Sequence, residues 1–317
     1  MIYMHHITLG VFGELENDFL KKLGNKGTIN DLEFRNDHTD SCLYTYCAPK
    51  SEKVTSLMQS VGLVDIPVIV FDSPSPVLGE AVLAVQAHSF PYMIACVSEA
   101  FGMERAEALL SGAGIPSYKI LPLDHIVFKE FIRSDEFFSS FPPSDGPVKV
   151  PIDNYFQVKS VGTVILGIVK QGDLGVYTKL EIFPTHTEVL VKSIQSQDKD
   201  VRVASAFQRV GLSLKGVKPD DLKRGYVVAQ KDSLTVSESV TFELERNNVI
   251  KDEVSVGDSF FACIGLQTPV GRVEAIDGDT VTMSLEREVA FDANDRVVIA
   301  KTTPKPPRIV GGGKLVL

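Results

Sequence analysis

A chain of 317 residues has room for two or three domains, and a hydrophobic content of 44% can give each a core. No run of 18 apolar residues occurs, which excludes a membrane-spanning helix, and Met1-Ile2-Tyr3-Met4-His5-His6 lacks the basic start and long apolar stretch of an export signal. A net charge of −9 argues against a nucleic-acid coat over the whole surface, and four irregularly spaced cysteines (Cys42, Cys47, Cys96, Cys263) fit a reducing, cytoplasmic setting better than a disulfide framework.

Residues 7–13, Ile-Thr-Leu-Gly-Val-Phe-Gly, predict a buried strand ending in a glycine turn. Glu16 to Leu23 places Phe19, Leu20 and Leu23 at helical spacing, and Gly24 stops the helix. Ile66-Pro67-Val68-Ile69-Val70-Phe71 is a continuous apolar strand. Pro76 to His88 is helical, with Val77, Ala81, Ala84 and Val85 on one side. Tyr92 to Val97 is a buried strand, Glu104 to Leu110 a helix closed near Gly112 and Gly114, Tyr118 to Leu121 a strand and Asp124 to Ile132 a helix. Strands without alternation, separated by helices, indicate a parallel sheet covered on both faces. The front of the chain, 1–145, is therefore read as an α/β doubly wound domain.

The texture changes after Ser139-Ser140-Phe141-Pro142-Pro143-Ser144-Asp145-Gly146-Pro147, a linker by composition. Beyond it come short alternating segments broken by Gly, Asp and Asn. Lys170-Gln171-Gly172-Asp173 and Ile276-Asp277-Gly278-Asp279 read as hairpin turns. Two small β-barrels, 148–230 and 231–317, account for this pattern. Charge divides along the same lines: residues 1–145 carry −9, 146–230 carry +4 and 231–317 carry −4. A basic middle between acidic flanks permits a local phosphate-facing patch there.

The stretch from Tyr155 to Val228 carries a more specific signal. It contains Gly162-Thr163-Val164, Gly167, Gly172 and Pro184, then Arg209-Val210-Gly211-Leu212, Leu214-Lys215-Gly216-Val217 and Leu222-Lys223-Arg224-Gly225. It resembles the second domain of the translation GTPases, above all the selenocysteine-specific elongation factor and elongation factor Tu. Gly257-Asp258, Gly265-Leu266-Gln267, Gly271-Arg272-Val273 and the closing Arg308-Ile309-Val310-Gly311-Gly312-Gly313 resemble the third domain of that family. The resemblance implies that the front domain is P-loop GTPase-like.

The phosphate motifs implied by the resemblance are degenerate. The family follows its first strand with G-x-x-x-x-G-K-[ST], whose amides and lysine cradle phosphates and whose hydroxyl holds magnesium. The matching run is Gly13-Glu14-Leu15-Glu16-Asn17-Asp18-Phe19-Leu20, with Asp18, Phe19 and Leu20 where Gly, Lys and the magnesium ligand are needed. Lys21 and Lys22 come too late. The D-x-P-G-H switch reads Asp72-Ser73-Pro74-Ser75-Pro76, and the guanine-reading N-K-x-D reads Leu121-Pro122-Leu123-Asp124. Gly13, Asp72 and Asp124 are the remnants of a nucleotide site, and Asp124 also suits a helix N-cap. Lys26-Gly27-Thr28 is a short echo of the first switch. The expectation is a pseudo-GTPase with no catalytic residue and no cofactor. The alternative is an active GTPase holding GTP and magnesium on an unusual phosphate loop.

The resemblance also implies partners. In elongation factor Tu and its selenocysteine relative, the middle domain holds the aminoacylated 3′ end of tRNA. Counting back from Val210-Gly211, Gln195 and Asp198 fall on the positions that face the terminal adenosine and the aminoacyl group, with different side chains from the family's, and Phe207 takes a place usually held by Gly. Lys192, Lys199, Arg202 and Arg209 lie in or beside this segment. The expected partner is tRNA or ribosomal RNA through the middle barrel, with Arg209 a candidate structural brace. A protein-interaction scaffold without an RNA role is the remaining alternative. Other chemistry is thin. His38, Cys42 and Cys47 match no common zinc spacing, Asp153, Asp198 and Asp200 match no calcium loop, and Phe137, Phe138 and Phe141 read as packing groups.

Overall fold

The computed structural model describes residues 5–14, 18–138, 145–247, 250 and 253–316. The first sheet is built from β1 (His5–Phe12), β2 (Asn25–Ile29), β3 (Leu32–His38), β4 (Cys42–Pro49), β5 (Ile66–Phe71), β6 (Met93–Val97) and β7 (Tyr118–Pro122). Their order is β2-β3-β4-β1-β5-β6-β7. The run β4-β1-β5-β6-β7 is parallel, and β3 is antiparallel to both β2 and β4. Helices α2 (Val54–Leu63), α3 (Pro76–His88) and α4 (Met103–Gly112) cover one face, and α1 (Asp18–Leu23), α5 (His125–Ile132) and α6 (Asp135–Phe138) the other. All six residues of β5 are buried, as an unbroken apolar run covered on both faces requires. The linker residues 139–144 and the front of the expected first helix, Glu16 and Asn17, lie outside the described residues.

The sheet differs from the sequence reading at its β2–β3–β4 edge, where no strands were expected. Asn25–Ile29 has no buried residue, so it shows no apolar period to read. Its turn is closed by Asn30, whose side chain accepts a hydrogen bond from Leu32 N at 2.8 Å.

The middle barrel closes through strands Lys149–Val158, Gly162–Ile168, Arg209–Lys215, Thr187–Ser196, Lys179–Phe183 and Val227–Ala229. The expected hairpin at Lys170–Asp173 is not one. Strand Gly162–Ile168 pairs with Lys149–Val158 and Arg209–Lys215, and the turn leads instead into the two-residue strand Leu174–Gly175. The third barrel closes through Thr235–Arg246, Thr280–Phe291, Val270–Asp277, Ser259–Ile264, Arg296–Lys301 and Ile309–Val316. Its hairpin at Gly278-Asp279 joins Asp277 directly to Thr280, with Gly278 at φ +59°.

The three bodies are not merely strung together. Cys263, Leu266, Val298, Ala300 and Ile309 of the third barrel belong to the same apolar cluster as α2 and α3. Glu80 of α3, 2% exposed, accepts from Arg308 Nε at 2.9 Å and from Arg308 N at 2.7 Å. On the middle barrel, Lys170 Nζ donates to Leu63 O at 3.0 Å and pairs with Asp65 at 2.7 Å.

Candidate nucleotide and nucleic-acid sites

In an open α/β sheet the natural ligand crevice lies at the carboxyl ends of the strands where the winding direction reverses. Here that point is beside β1, with β4 on one side and β5 on the other. Gly13 follows β1, Asp72 follows β5, and Leu123 and Asp124 follow β7. Gly13 has φ +139°, and a β-carbon there would meet Val70 O at 2.8 Å, so the turn demands glycine for packing alone.

The cavity at this corner measures about 250 Å³ and is lined by Glu14, Asp18, Phe19, Lys22, Val70, Asp72, Leu123 and His125. That is below the usual range for a small-molecule site, roughly 300–1,000 Å³. Phe19 and Leu20 turn inward, 7% and 4% exposed, and Phe19 packs edge-on against Phe128 at 5.3 Å. Lys21 is paired with Asp18 at 2.8 Å. Among the described residues, Lys22 faces three carboxylates, Glu14, Asp18 and Asp72, across the cavity. These residues do not fit a magnesium nucleotide: Phe19 and Leu20 stand at the sequence positions of the phosphate lysine and the metal-binding hydroxyl and pack into the core, and three carboxylates to one lysine on the rim disfavour an anion. Asp124 serves as the N-cap of α5, its Oδ1 accepting from Ile126 N at 2.7 Å and Val127 N at 3.3 Å. Ser75 caps α3 by accepting from Leu78 N at 3.1 Å, and Pro76 opens the helix.

A second cleft, about 380 Å³, runs between the β2–β3 edge and the middle barrel. It gathers Gln195, Asp198 and Arg209 from the barrel with His6, Lys26, Thr28 and Asn36 from the front sheet. Gln197 and Asp198 form the hairpin tip at φ +48° and +59°, and Gln195 donates to Asp200 Oδ1 at 3.0 Å. The Nδ1 of His6 is buried with no hydrogen-bond partner, and burial, reinforced by His5, pushes its pKa down to about 4, so the ring is neutral at pH 7. Arg209 is held from both sides. Its guanidinium forms a two-pronged pair with Asp153, itself 1% exposed, and lies 3.6 Å over the Phe34 ring. Lys199 and Arg202 are exposed and sit outside this cleft; Lys192 is exposed and donates to Val161 O at 3.0 Å.

The cysteine pair cannot share a metal ion. Cys42 and Cys47 lie in the apolar clusters on opposite faces of the sheet, and burial pushes their thiols up to about 11 and about 12. Phe137 is buried in the front core, and Phe141 lies outside the described residues. The sequence reading missed His6, Asn36 and Phe34 as neighbours of the barrel segment, because the only local signal was the weak Lys26-Gly27-Thr28 echo on an unrecognised hairpin.

Comparison with known proteins places this arrangement among familiar ones. Residues 162–229 match the family described as Elongation factor Tu domain 2. An uncharacterized protein of Methanocaldococcus jannaschii is 31% identical over 314 residues, 98% of this chain and 100% of that protein. The selenocysteine-specific elongation factor of the same organism is 31% identical over 192 residues, covering 53% of this chain but only 41% of its own length. Elongation factor 1-alpha of Pyrobaculum calidifontis is 28% identical over 171 residues, 52% of this chain and 38% of its own. Among solved structures, translation elongation factor SelB of Methanococcus maripaludis with a GTP analogue matches with a TM-score of 0.82 at 21% identity, covering 100% of this chain and 80% of that one. A bacterial selenocysteine-specific factor matches with a TM-score of 0.84 at 16% identity, over 98% of this chain and 58% of that one.

Proposed function

We propose that this chain, whose residues 162–229 match Elongation factor Tu domain 2 and whose fold matches selenocysteine-specific elongation factors, is a nucleotide-independent member of the translation elongation factor family that contacts tRNA or ribosomal RNA through its middle barrel. The observation that carries this reading is the contrast between its two clefts. The phosphate corner is the smaller, about 250 Å³, with Phe19 in its wall and three carboxylates to one lysine on its rim, whereas the cleft at the barrel is about 380 Å³ and collects Gln195 and Asp198. In this reading Gly13 and Asp124 persist as a turn and a cap. Arg209 braces the cleft wall, and the exposed Lys199 and Arg202 meet phosphates beyond its edge. A cytoplasmic setting goes with this role.

The test has two arms. Calorimetry with GTP and magnesium should show no binding, and micromolar affinity would sink the nucleotide-independent half. In the second arm, replacing Lys199 and Arg202 together by Glu should weaken RNA binding and flatten its salt dependence, since each phosphate contact contributes a slope of about −0.7 to −0.9. A folded double variant with unchanged affinity and slope would reject this surface. A protein-interaction scaffold is the second reading. It is favoured by an apolar cavity of about 740 Å³ between α3, α4 and Pro306-Pro307, where Leu109 is 45% exposed. Failure of the parent protein to bind RNA would select that reading.

A further inference from the structure

Tyr177 is the most exposed large hydrophobic residue among the described ones, at 73%, and its backbone is left-handed at φ +66°. A bulky residue in that region is strained, and glycine would occupy it freely. The strain is fixed by the turn around it. Val176 N donates to Arg202 O at 3.0 Å, Tyr177 N donates to Val191 O at 2.7 Å, and Val191 N donates to Thr178 O at 3.1 Å. Thr178 Oγ1 closes the turn on Gly175 O at 2.8 Å. Phe207 is also left-handed, at φ +70°, but it sits at the domain junction and lines both neighbouring cavities. Tyr177 has no such packing to offset its conformation. Strain that folding does not exploit points to use at a surface.

The surroundings of the ring define what could use it. Val203, 55% exposed, lies across the short ribbon from Gly175, and Arg202 precedes it. Lys179 is two residues along. The side chains of Arg202 and Lys179 are exposed, and neither has an ion-pair or hydrogen-bond partner among the described residues. Two acids of this barrel are already engaged, Asp200 by Gln195 and Glu188 by Lys231. An aromatic face beside unpaired cations, on the one segment of the chain with a positive net charge, is complementary to a base and its flanking phosphates.

We propose that the Tyr177 turn is a stacking platform for one unpaired nucleotide of an RNA strand, with Arg202 and Lys179 neutralising the adjacent phosphates. This rests on the reading of the middle barrel as RNA-facing, but it names a surface outside the cleft of Gln195 and Asp198. Because neither hydrogen bonding to base edges nor shape readout is built into the turn, the platform takes any base and discriminates unpaired from paired strands.

The chain has no tryptophan, so Tyr177→Trp introduces a single indole reporter. Its fluorescence should be quenched by an unpaired RNA of roughly 12 nucleotides and not by a blunt duplex of the same sequence. Tyr177→Gly, which suits the left-handed backbone, should melt no lower than the parent yet bind the unpaired RNA about 5- to 140-fold more weakly, while Tyr177→Phe binds like the parent. Parent-like affinity of Tyr177→Gly, or an equal loss on the duplex, overturns the platform and leaves the RNA reading standing. Absence of RNA binding by the parent protein overturns both.

Discussion

Arg209 shows how far a residue's surroundings can redirect its role. By spacing it belongs with the cations of the segment proposed to face RNA, yet its guanidinium is taken up by Asp153 and Phe34. Removing it strands a buried carboxylate, so Arg209→Ala should cost about 3–5 kcal/mol in urea denaturation. Exposed changes such as Lys199→Glu should stay within about ±0.5 kcal/mol. An Arg209→Ala denaturation curve that overlays the parent's would show the pair to be idle. Two histidines set an acid limit. Burial lowers His6 to about 4, and burial with Lys170 and Arg296 nearby lowers His88 to about 3. Unfolded, both titrate near 6.5, so the unfolded chain takes up protons first as pH falls. Their stabilisation is therefore complete above pH 6.5 and lost progressively toward pH 4 and 3. Asp65 and Asp295, raised by burial, act in the opposite sense at the acid end. The melting temperature should fall between pH 6.5 and 5, and a His6→Gln, His88→Gln double variant should flatten that fall. An unchanged slope in the double variant would refute the assignment.

At the scale of elements, α1 and α3 are each set by contacts within the chain. α1 is anchored by Phe19, Leu20 and Leu23, so its side chains serve the core where the family uses them on phosphate and metal. α3 starts from its own Ser75 cap and Pro76, with no ligand required to set its first turn. These helices were legible in the sequence because their apolar spacing and caps are local. The β2–β3 hairpin was not legible, although it supplies Lys26, Thr28 and Asn36 to the open cleft. A half-exposed edge strand such as β2 carries too little alternation to be read, and the pairing of its partner β3 with β4 is fixed by the sheet it joins. Lys170–Asp173 misled in the other direction. It has hairpin composition, but barrel closure sends its two flanks to different partners.

At the scale of the molecule, the front domain and third barrel share one apolar cluster and a buried Glu80–Arg308 pair. Close backbone contacts reinforce the junction: a β-carbon on Gly62 would meet Gly265 O at 2.5 Å, and one on Gly312 would meet Ala87 O at 2.1 Å. A ligand moves domains only through different affinity for two arrangements, and under the proposed nucleotide-independent role GTP has no such hold. Scattering profiles with and without GTP should superpose. Arg308→Ala should destabilise the junction by about 3–5 kcal/mol and enlarge the radius of gyration. A GTP-dependent radius, or an Arg308→Ala variant as compact and stable as the parent, would contradict this account.

The α/β front, the two β-rich segments after it, and the identities of Asp18, Phe19 and Leu20 after the first strand were all legible in the chain alone. Those features depend on periodicity, turn chemistry and residue type, all of which are local. Three features emerge on folding alone: Arg209 braces Asp153, His6 and Asn36 line one cleft with Gln195 and Asp198, and α3 is clamped to the third barrel. Each of these joins residues far apart in the chain. Their pairing is set by burial and by matching charge across domain surfaces, which no window of sequence contains.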